Sequence, residues 1–506
     1  MDGSDGHGVG GRRLWWGYAV VLVAAATLYV ATSAPSVVWQ DSGLIQWRVL
    51  NRDIEGGLGL ALSHPLYYLI AIGASFLGDP ARMATLATAV ISAFAVANLF
   101  LLVGLWVKRT VPAAVAALTL ALSHTFWWHA TVPETYNLAA ALLLAELAAL
   151  LQYGNTGRVR YLYILALLNG LGLANHMLAA ISLACYAVLL AGLLMHGQIR
   201  MRDVAVMAAF WVVGALPLEV LFVMRWVETG DLGATIASAL FGDLWRDDVL
   251  NTAITTRIVV ENFMWIALNL ATPNVFLLIL GAWAVALQVR RCRFHRVVAA
   301  LLVLYLAFAF RYTVVDRYAF FIPFYCMAAI LVGVGAWEML ERFSGRALPV
   351  VLVFFAFWTI PVYAAAPILA RELDIVGRPR QLPYRDDAAY HLRPWRTGDD
   401  GAARFADETL GNAARDGIIL ADTTAAPPLL YTQKARNKRP DVKVVSDIGC
   451  SDGAPQVTPE TIDELASTRT VYVVTPSPGY CPKYVLERCE FTADGLVYRV
   501  TLPGGF

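Results

Sequence analysis

The run MATLATAVISAFAVANLFLLVGLW, residues 83–106, contains no charged side chain and is closed by Lys108-Arg109 one residue further on. About 20 apolar residues in a helix cross the hydrocarbon core of a bilayer. Basic residues beside such a run mark its cytoplasmic end. Reading outward by these two rules gives eleven expected spans, at 15–34, 83–106, 110–126, 135–152, 161–175, 177–195, 204–224, 270–289, 297–310, 319–338 and 347–366. Arg12/Arg13, Lys108/Arg109, Arg158/Arg160, Arg200/Arg202, Arg290/Arg291/Arg293/Arg296 and Arg342/Arg346 fall in alternate connections. The expected topology has its amino terminus in the cytoplasm. With an odd number of spans, the carboxyl-terminal segment then lies outside, in a multi-pass protein of a cell (inner) membrane. Arg12-Arg13 and the small residues Ala31–Ala34 also outline a signal peptide. The long run and the spans behind it favour a retained anchor.

Hydrophobic residues make up 58% of the 506 residues and charged ones 15%, against about 25% charged in soluble domains. A soluble multidomain enzyme, a disordered chain and a collagen-like repeat are excluded. A net charge of +1 gives no reason to expect nucleic acid as a partner. The charge is uneven. Residues 1–366 hold 22 Lys/Arg and 19 Asp/Glu, while the last 140 residues hold 17 and 19. The chain divides into a transmembrane domain at 1–366, a polar linker at 367–390 and a water-exposed domain at 391–506.

In the third part, Trp395–Arg415 reads as a helix and Ile418–Leu420 as a buried strand. Pro427–Lys434 and Pro459–Ala466 read as helices, Val442–Ser446 and Thr470–Thr475 as strands, and Phe491–Leu502 as a hairpin around Asp494-Gly495. Such alternation predicts a small parallel α/β sheet. Asp422 follows the first strand, either as a turn residue or at the place where α/β domains bind ligands. No glycine-rich fingerprint or P-loop supports nucleotide binding. None of the six cysteines has metal-ligand spacing. Cys481 and Cys489 could pair outside the cytoplasm, but spacing alone does not set the geometry.

Polar clusters gather at the connections expected to face outward. The first carries Trp39-Gln40-Asp41-Ser42-Gly43, Arg48, Arg52, Asp53, Glu55 and Ser63-His64-Pro65-Leu66-Tyr67-Tyr68. The apolar segment from Leu66 to Leu77 is too short to span and reads as an interfacial helix, with a new helix starting after Pro80. Others carry Phe126-Trp127 to Pro133-Glu134-Thr135-Tyr136, Asn175-His176, Arg225 with Asp243 to Asp248, and Arg311 to Asp316-Arg317-Tyr318. Ionisable residues at a membrane boundary are costly unless paired or hydrated, so they are site candidates. Glu219, within the seventh span, is expected to partner an arginine.

These stretches, in this order, resemble a bacterial multi-pass family related to a eukaryotic secretory-pathway protein O-mannosyltransferase. Asp316-Arg317-Tyr318-Ala319-Phe320-Phe321-Ile322-Pro323, Gly417–Asp422 and Arg439-Pro440-Asp441-Val442 match it too, so the resemblance covers most of the chain. The family is similar to the GT-C glycosyltransferase superfamily. The resemblance implies a polytopic α-helical GT-C-like membrane enzyme with a small extracytoplasmic α/β domain. It implies transfer of a sugar, mannose for the O-mannosyltransferase, from a polyprenyl-phosphate carrier, with an essential carboxylate in the first outer loop. Asp41 occupies that place. The family's His-Pro-Pro-Gly-Tyr-Pro stands here as His64-Pro65-Leu66-Tyr67-Tyr68, which leaves the acceptor open.

Transfer from a lipid phosphate needs a base for the acceptor hydroxyl and stabilisation of the departing phosphate. Asp41 is expected as the base of an inverting displacement; a helix cap is the plainer alternative. Glu134 is expected to orient the acceptor or Asp41, or to favour a helix amino terminus. His64 completes the expected catalytic set, or anchors the interfacial helix. Arg311, Arg317, Arg225 and His176 are candidates for the donor phosphate, since an arginine fork suits phosphate oxygens. Asn175, Trp39 and Asp316 are candidates for contact with the acceptor or sugar. No cluster demands a divalent ion, although some GT-C enzymes use one. No cofactor is expected beyond the lipid-linked sugar as donor substrate. The other partners are membrane lipids and a protein hydroxyl or an envelope glycan as acceptor. A transporter or flippase of a lipid-linked precursor is the main alternative. It would place ionisable groups near the bilayer midplane. A scaffold without catalysis is a third reading.

Overall fold

The computed structural model describes residues 6–243, 247, 251, 253–314, 316–374, 380, 382–446 and 454–503. After α1 (Gly6–Thr32) come two short helices, α2 (Gln40–Asn51) and α3 (Pro65–Ser75). The bundle continues through α4 (Pro80–Val107), α5 (Thr110–Ala121), α6 (His124–Ala130), α7 (Tyr136–Thr156), α8 (Arg160–Asn175), α9 (Ala179–Met195) and α10 (Met201–Thr229). It closes with α11 (Leu232–Phe241), α12 (Thr256–Asn269), α13 (Val275–Gln288), α14 (Arg293–Arg311), α15 (Ile322–Arg342), α16 (Leu348–Ala356) and α17 (Thr359–Glu372). Local chemistry sets the boundaries. Asp79 caps α4 by accepting from the Arg82 amide at 2.9 Å, and Pro80 takes the first helical position, where no amide is needed.

Helices cover all eleven apolar runs, but length supports fewer crossings. Among the described residues, seven stretches are long and apolar enough to span, and an eighth exists if α5 and α6, bent by 70°, cross as one. The helices α8, α9 and α13 have 16, 17 and 14 residues, at or below the lower end of the roughly 17 to 25 that cross a bilayer. The stretch containing α15 is 94% buried and forms the centre, whereas that of α1 is 11% buried and lies at the rim. Val20, Val23, Phe210, Val213 and Phe354 are exposed apolar side chains on rim helices. Such a surface suits lipid, not water.

Glycines set the closest crossings. A Cβ on Gly281 of α13 would clash with the Leu331 carbonyl, and one on Gly335 of α15 with the Leu277 carbonyl. Gly170 of α8 and Gly214 of α10 face the Trp211 and Leu167 carbonyls in the same way. Small residues let backbones approach where lipid removes the hydrophobic drive between helices. A buried polar knot adds to this. Asn169 donates to Ser182 Oγ at 2.9 Å and to the Ala179 carbonyl at 3.2 Å, and accepts from Trp211 Nε1 at 3.1 Å. No ion pair with Glu219 occurs among the described residues.

The carboxyl-terminal part adds α18 (Asp387–Leu392), α19 (Gly401–Asn412), β1 (Ile418–Leu420), α20 (Ala426–Ala435), β2 (Lys443–Val445), α21 (Ile462–Thr468), β3 (Val471–Val473), α22 (Lys483–Arg488), β4 (Glu490–Asp494) and β5 (Val497–Thr501). The sheet order is β2-β1-β3-β5-β4. The first three strands are parallel, and the β4–β5 hairpin adds antiparallel to β3. Each strand read from the sequence is present: β1 has the expected bounds, β2 and β3 are shorter at both ends, and the hairpin begins at Glu490. Cys489 is a free thiol in the same apolar cluster as Cys481. Cys450, Trp245, Arg246 and Asp248 lie outside the described residues.

The two parts share a core. Ala34, Val38, Trp39, Trp128 and Val132 pack with Tyr390, Phe405, Ala426 and Leu429. Polar bonds seal the seam: Trp128 Nε1 donates to the Tyr390 carbonyl at 3.0 Å, Arg396 N to the Thr32 carbonyl at 2.7 Å, and Ala81 N to the Tyr431 hydroxyl at 2.9 Å. Replacing Gly335 by Leu is expected to force α13 and α15 apart and cost about 2 kcal/mol. The midpoint of thermal unfolding in detergent measures this, and an unchanged midpoint would refute the close crossing.

Candidate active site

Five consecutive residues place the central carboxylate. Trp39 is 1% exposed and packs on Phe405 at 5.2 Å between ring centroids. Its indole faces the α/β domain and is closed to a sugar. Gln40 has a positive φ of 58°, rare outside glycine. Asp41 follows in the first turn of α2, and its side chain is open to solvent. Ser42 is buried and donates to Glu134 Oε1 at 2.8 Å. Gly43 has no room for a Cβ, which would clash with the Val38 carbonyl. The pentad thus packs, turns, presents an acid, ties it to a second acid and tucks the helix in.

Glu134 lies in the connection between α6 and α7. Its amide faces Thr88 Oγ1 at 3.4 Å, and that hydroxyl bonds Tyr67 OH at 2.7 Å. Asp316 enters from the connection after α14. Asp316 acts on Asp41, and both act on Glu134. Burial first, and then Asp316, push the Asp41 carboxyl up to about 7. Burial raises Glu134 to about 8; the Ser42 hydrogen bond works against this, and Asp41 and Asp316 add to it. Burial also raises Asp316. Asp41 is open to solvent, yet desolvation by the surrounding protein is the larger cause of its shift. Carboxyls so close in a poor dielectric cannot all ionise at neutral pH.

A histidine pair lies behind the acids. His64 and His176 stack with ring centroids 5.0 Å apart, and Tyr136 lies 5.0 Å from His176. His64 Nδ1 meets the Asn175 carbonyl at 2.6 Å. A carbonyl only accepts, so Nδ1 carries the proton. His176 Nδ1 accepts from the Leu178 amide at 3.2 Å, which places its proton on Nε2. Burial lowers His64 to about 4, with Arg48 adding to the effect, and burial holds His176 well below the usual range. Both rings are neutral donors at pH 7. Asn175 is itself 1% exposed and donates to the Thr135 carbonyl at 3.0 Å, so it braces the connections.

The arginines are engaged elsewhere. Arg317 is buried, donates to Asn262 at 3.0 Å and pairs with Glu261. Arg225 pairs with Asp243 at 2.7 Å and approaches Glu55 at 4.0 Å. Arg311 lies 5.7 Å from the Phe308 ring. Arg48 lies 3.7 Å over the Tyr68 ring and donates to the Ile54, Leu62 and Ser63 carbonyls. It organises the loop before His64, and Asp53 supports it at 3.6 Å. Among the described residues, no group of three or more His, Cys, Asp or Glu side chains is arranged to hold a metal ion. Ser42 and Tyr318 were missed in the sequence. Ser42 sits inside the quoted pentad, and only the fold pairs it with Glu134. Tyr318 stacks on Trp265 at 5.0 Å and lies 5.6 Å from His129.

This architecture is GT-C-like in fold. A structure of ArnT from Cupriavidus metallidurans bound to undecaprenyl phosphate matches 96% of this chain and 98% of its own, with a TM-score of 0.58 at 12% identity. The apo structure of the same protein matches at 0.57 and 13%, over 96% and 97%. Residues 59–196 match the family described as protein O-mannosyl-transferase TMEM260 N-terminal domain, which agrees with the resemblance carried by the outer-loop residues. No curated protein matches by sequence. Gly43→Ala is expected to cost about 2 kcal/mol through the backbone clash and to loosen α2. Thermal unfolding checks the first effect, and proteolysis between residues 36 and 52 checks the second.

Proposed function

We propose that the chain is a membrane glycosyltransferase that moves a sugar from a polyprenyl-phosphate carrier to an acceptor hydroxyl on the outer side, with inversion. The observation that carries this reading is a solvent-open carboxylate, Asp41, set among two other carboxyls in a GT-C fold. Mannose is the sugar favoured by the family match over residues 59–196. The carrier is favoured by the lipid phosphate bound to the ArnT structure.

In this reading the ionised Asp41 takes the acceptor proton. The acceptor oxygen bonds to the anomeric carbon from the face opposite the phosphate. The bond to phosphate breaks, and the polyprenyl phosphate leaves with the electron pair. Glu134 stays largely protonated at pH 7, since its carboxyl lies near 8. It holds Ser42 and limits the charge beside Asp41. His176, with a proton on Nε2, donates to the sugar or phosphate. Arg317 follows Asp316 directly, and in this reading the donor phosphate displaces Glu261 from it. Arg225, tied to Asp243, supports the loop. Asp316 raises the basicity of Asp41 through like charge, and a stronger base is a better proton acceptor.

The ionisable cluster lies in the connections and not on broken helices at mid-membrane, which speaks against the transporter alternative. The proposal places the amino terminus in the cytoplasm and the α/β domain outside. Purified protein in nanodiscs, supplied with polyprenyl-phosphate mannose and other polyprenyl-phosphate sugars, tests the activity. Asp41→Asn is expected to lower transfer by about 10²- to 10⁴-fold with unchanged insertion. Transfer at the intact rate would move the base elsewhere. Only the ionised acid accepts a proton, so kcat/KM should fall about tenfold per pH unit below about 7 and level off above it. A profile flat between pH 5 and 8 would exclude Asp41.

A further inference from the structure

The α/β domain reaches the helix that carries Asp41. At the carboxyl ends of β1 and β3, where such sheets usually take a ligand, the chain inserts its own Arg380. The guanidinium bonds both Asp422 oxygens, with Nη1 to Oδ1 at 2.7 Å. Its Nε donates to Thr475 Oγ1 at 2.9 Å, and its charge lies 4.3 Å from the Tyr480 ring centroid. Asp422 Oδ1 also accepts from the Thr424 amide at 2.8 Å. The Thr424 carbonyl in turn accepts from the Gln40 amide at 3.2 Å. Gln40 is the left-handed residue directly before Asp41.

A second grip lies alongside. The Asp422 carbonyl accepts from the Ala425 and Ala426 amides at 3.0 and 2.9 Å and starts α20. Along α20, Pro427 lies at Gly43, and Tyr431 binds the Ala81 amide. Lys434 bonds Asn51 and lies 5.7 Å from the Trp47 ring.

We propose that Asp422 is a positioning residue for Asp41, acting through Thr424 and Gln40 and held in place by Arg380. The idea rests on the reading of Asp41 as the base. A left-handed non-glycine residue persists only where its surroundings hold it. Here the hold comes from the α/β domain, one peptide from the reacting carboxylate. Release lets Gln40 relax to negative φ, which turns the first turn of α2 and swings Asp41 away. The domain is then part of the catalytic frame, and its switch-point crevice is closed by Arg380.

The test uses the full chain in nanodiscs with the variants Asp422→Asn, Arg380→Met and the conservative Arg380→Lys. Amide exchange over residues 37–48 should rise about tenfold in the first two, with exchange in α7 and α15 unchanged. The kcat should fall about tenfold to hundredfold while KM moves less than twofold, and the acid limb of the pH profile should shift. Arg380→Lys should recover most of both. Unchanged exchange at 37–48, or a normal kcat in Asp422→Asn beside an inactive Asp41→Asn, overturns the proposal. Loss of exchange protection throughout the bundle would reduce Asp422 to a folding residue and also overturn it. Full activity in Asp41→Asn would overturn the base assignment instead, and the exchange result would still decide whether Asp422 holds Gln40.

Discussion

The structure depends on the clamping of one short helix between two bodies. The helix α2 lies between the membrane bundle and the α/β domain, with Trp39 in the shared core and Gly43 against the Val38 carbonyl. Each contact removes a freedom that the loop would otherwise keep. Packing supplies the energy, through apolar burial at the seam. Hydrogen bonds supply direction, because an unmet amide at this depth costs about as much as a lost hydrogen bond. The acid at the head of the helix therefore has one address.

Charge is the cost of that address. Burial raises Asp41, Glu134 and Asp316 together. A group that binds its proton more tightly when folded opposes folding as pH rises past its ordinary range. The cluster is thus held by its surroundings and not by its own interactions. The paired arginines follow the opposite logic. Arg317 with Glu261 and Arg380 with Asp422 are buried cations satisfied by a carboxylate, since a lone buried charge is not tolerated.

The distinction between the two parts was legible because lipid and water select different compositions, as the charge density before and after residue 366 shows. The strands of the tail were legible for the same kind of reason: Ile418–Leu420 and Val471–Val473 are apolar runs bounded by turn residues. Asp41 stood out as an acid at a membrane boundary. The crossing count was less legible. Apolarity marks both spans and helices buried in protein, and length separates the two only near about 20 residues.

What the sequence determined by itself is therefore the solvent of each segment, the helical or extended period, and the few polar residues that no bilayer would accept without cause. The tertiary structure decided which of those residues meet. Ser42 and Glu134 are far apart in the chain and 2.8 Å apart in space; Arg317 finds Glu261 and Arg225 finds Asp243; Trp39 turns from the site into the α/β core. Composition and period are local averages over neighbours in the chain. Pairing, pKa and the left-handed turn at Gln40 are set by atoms from distant segments, and those take their places only when the bundle and the sheet close on each other.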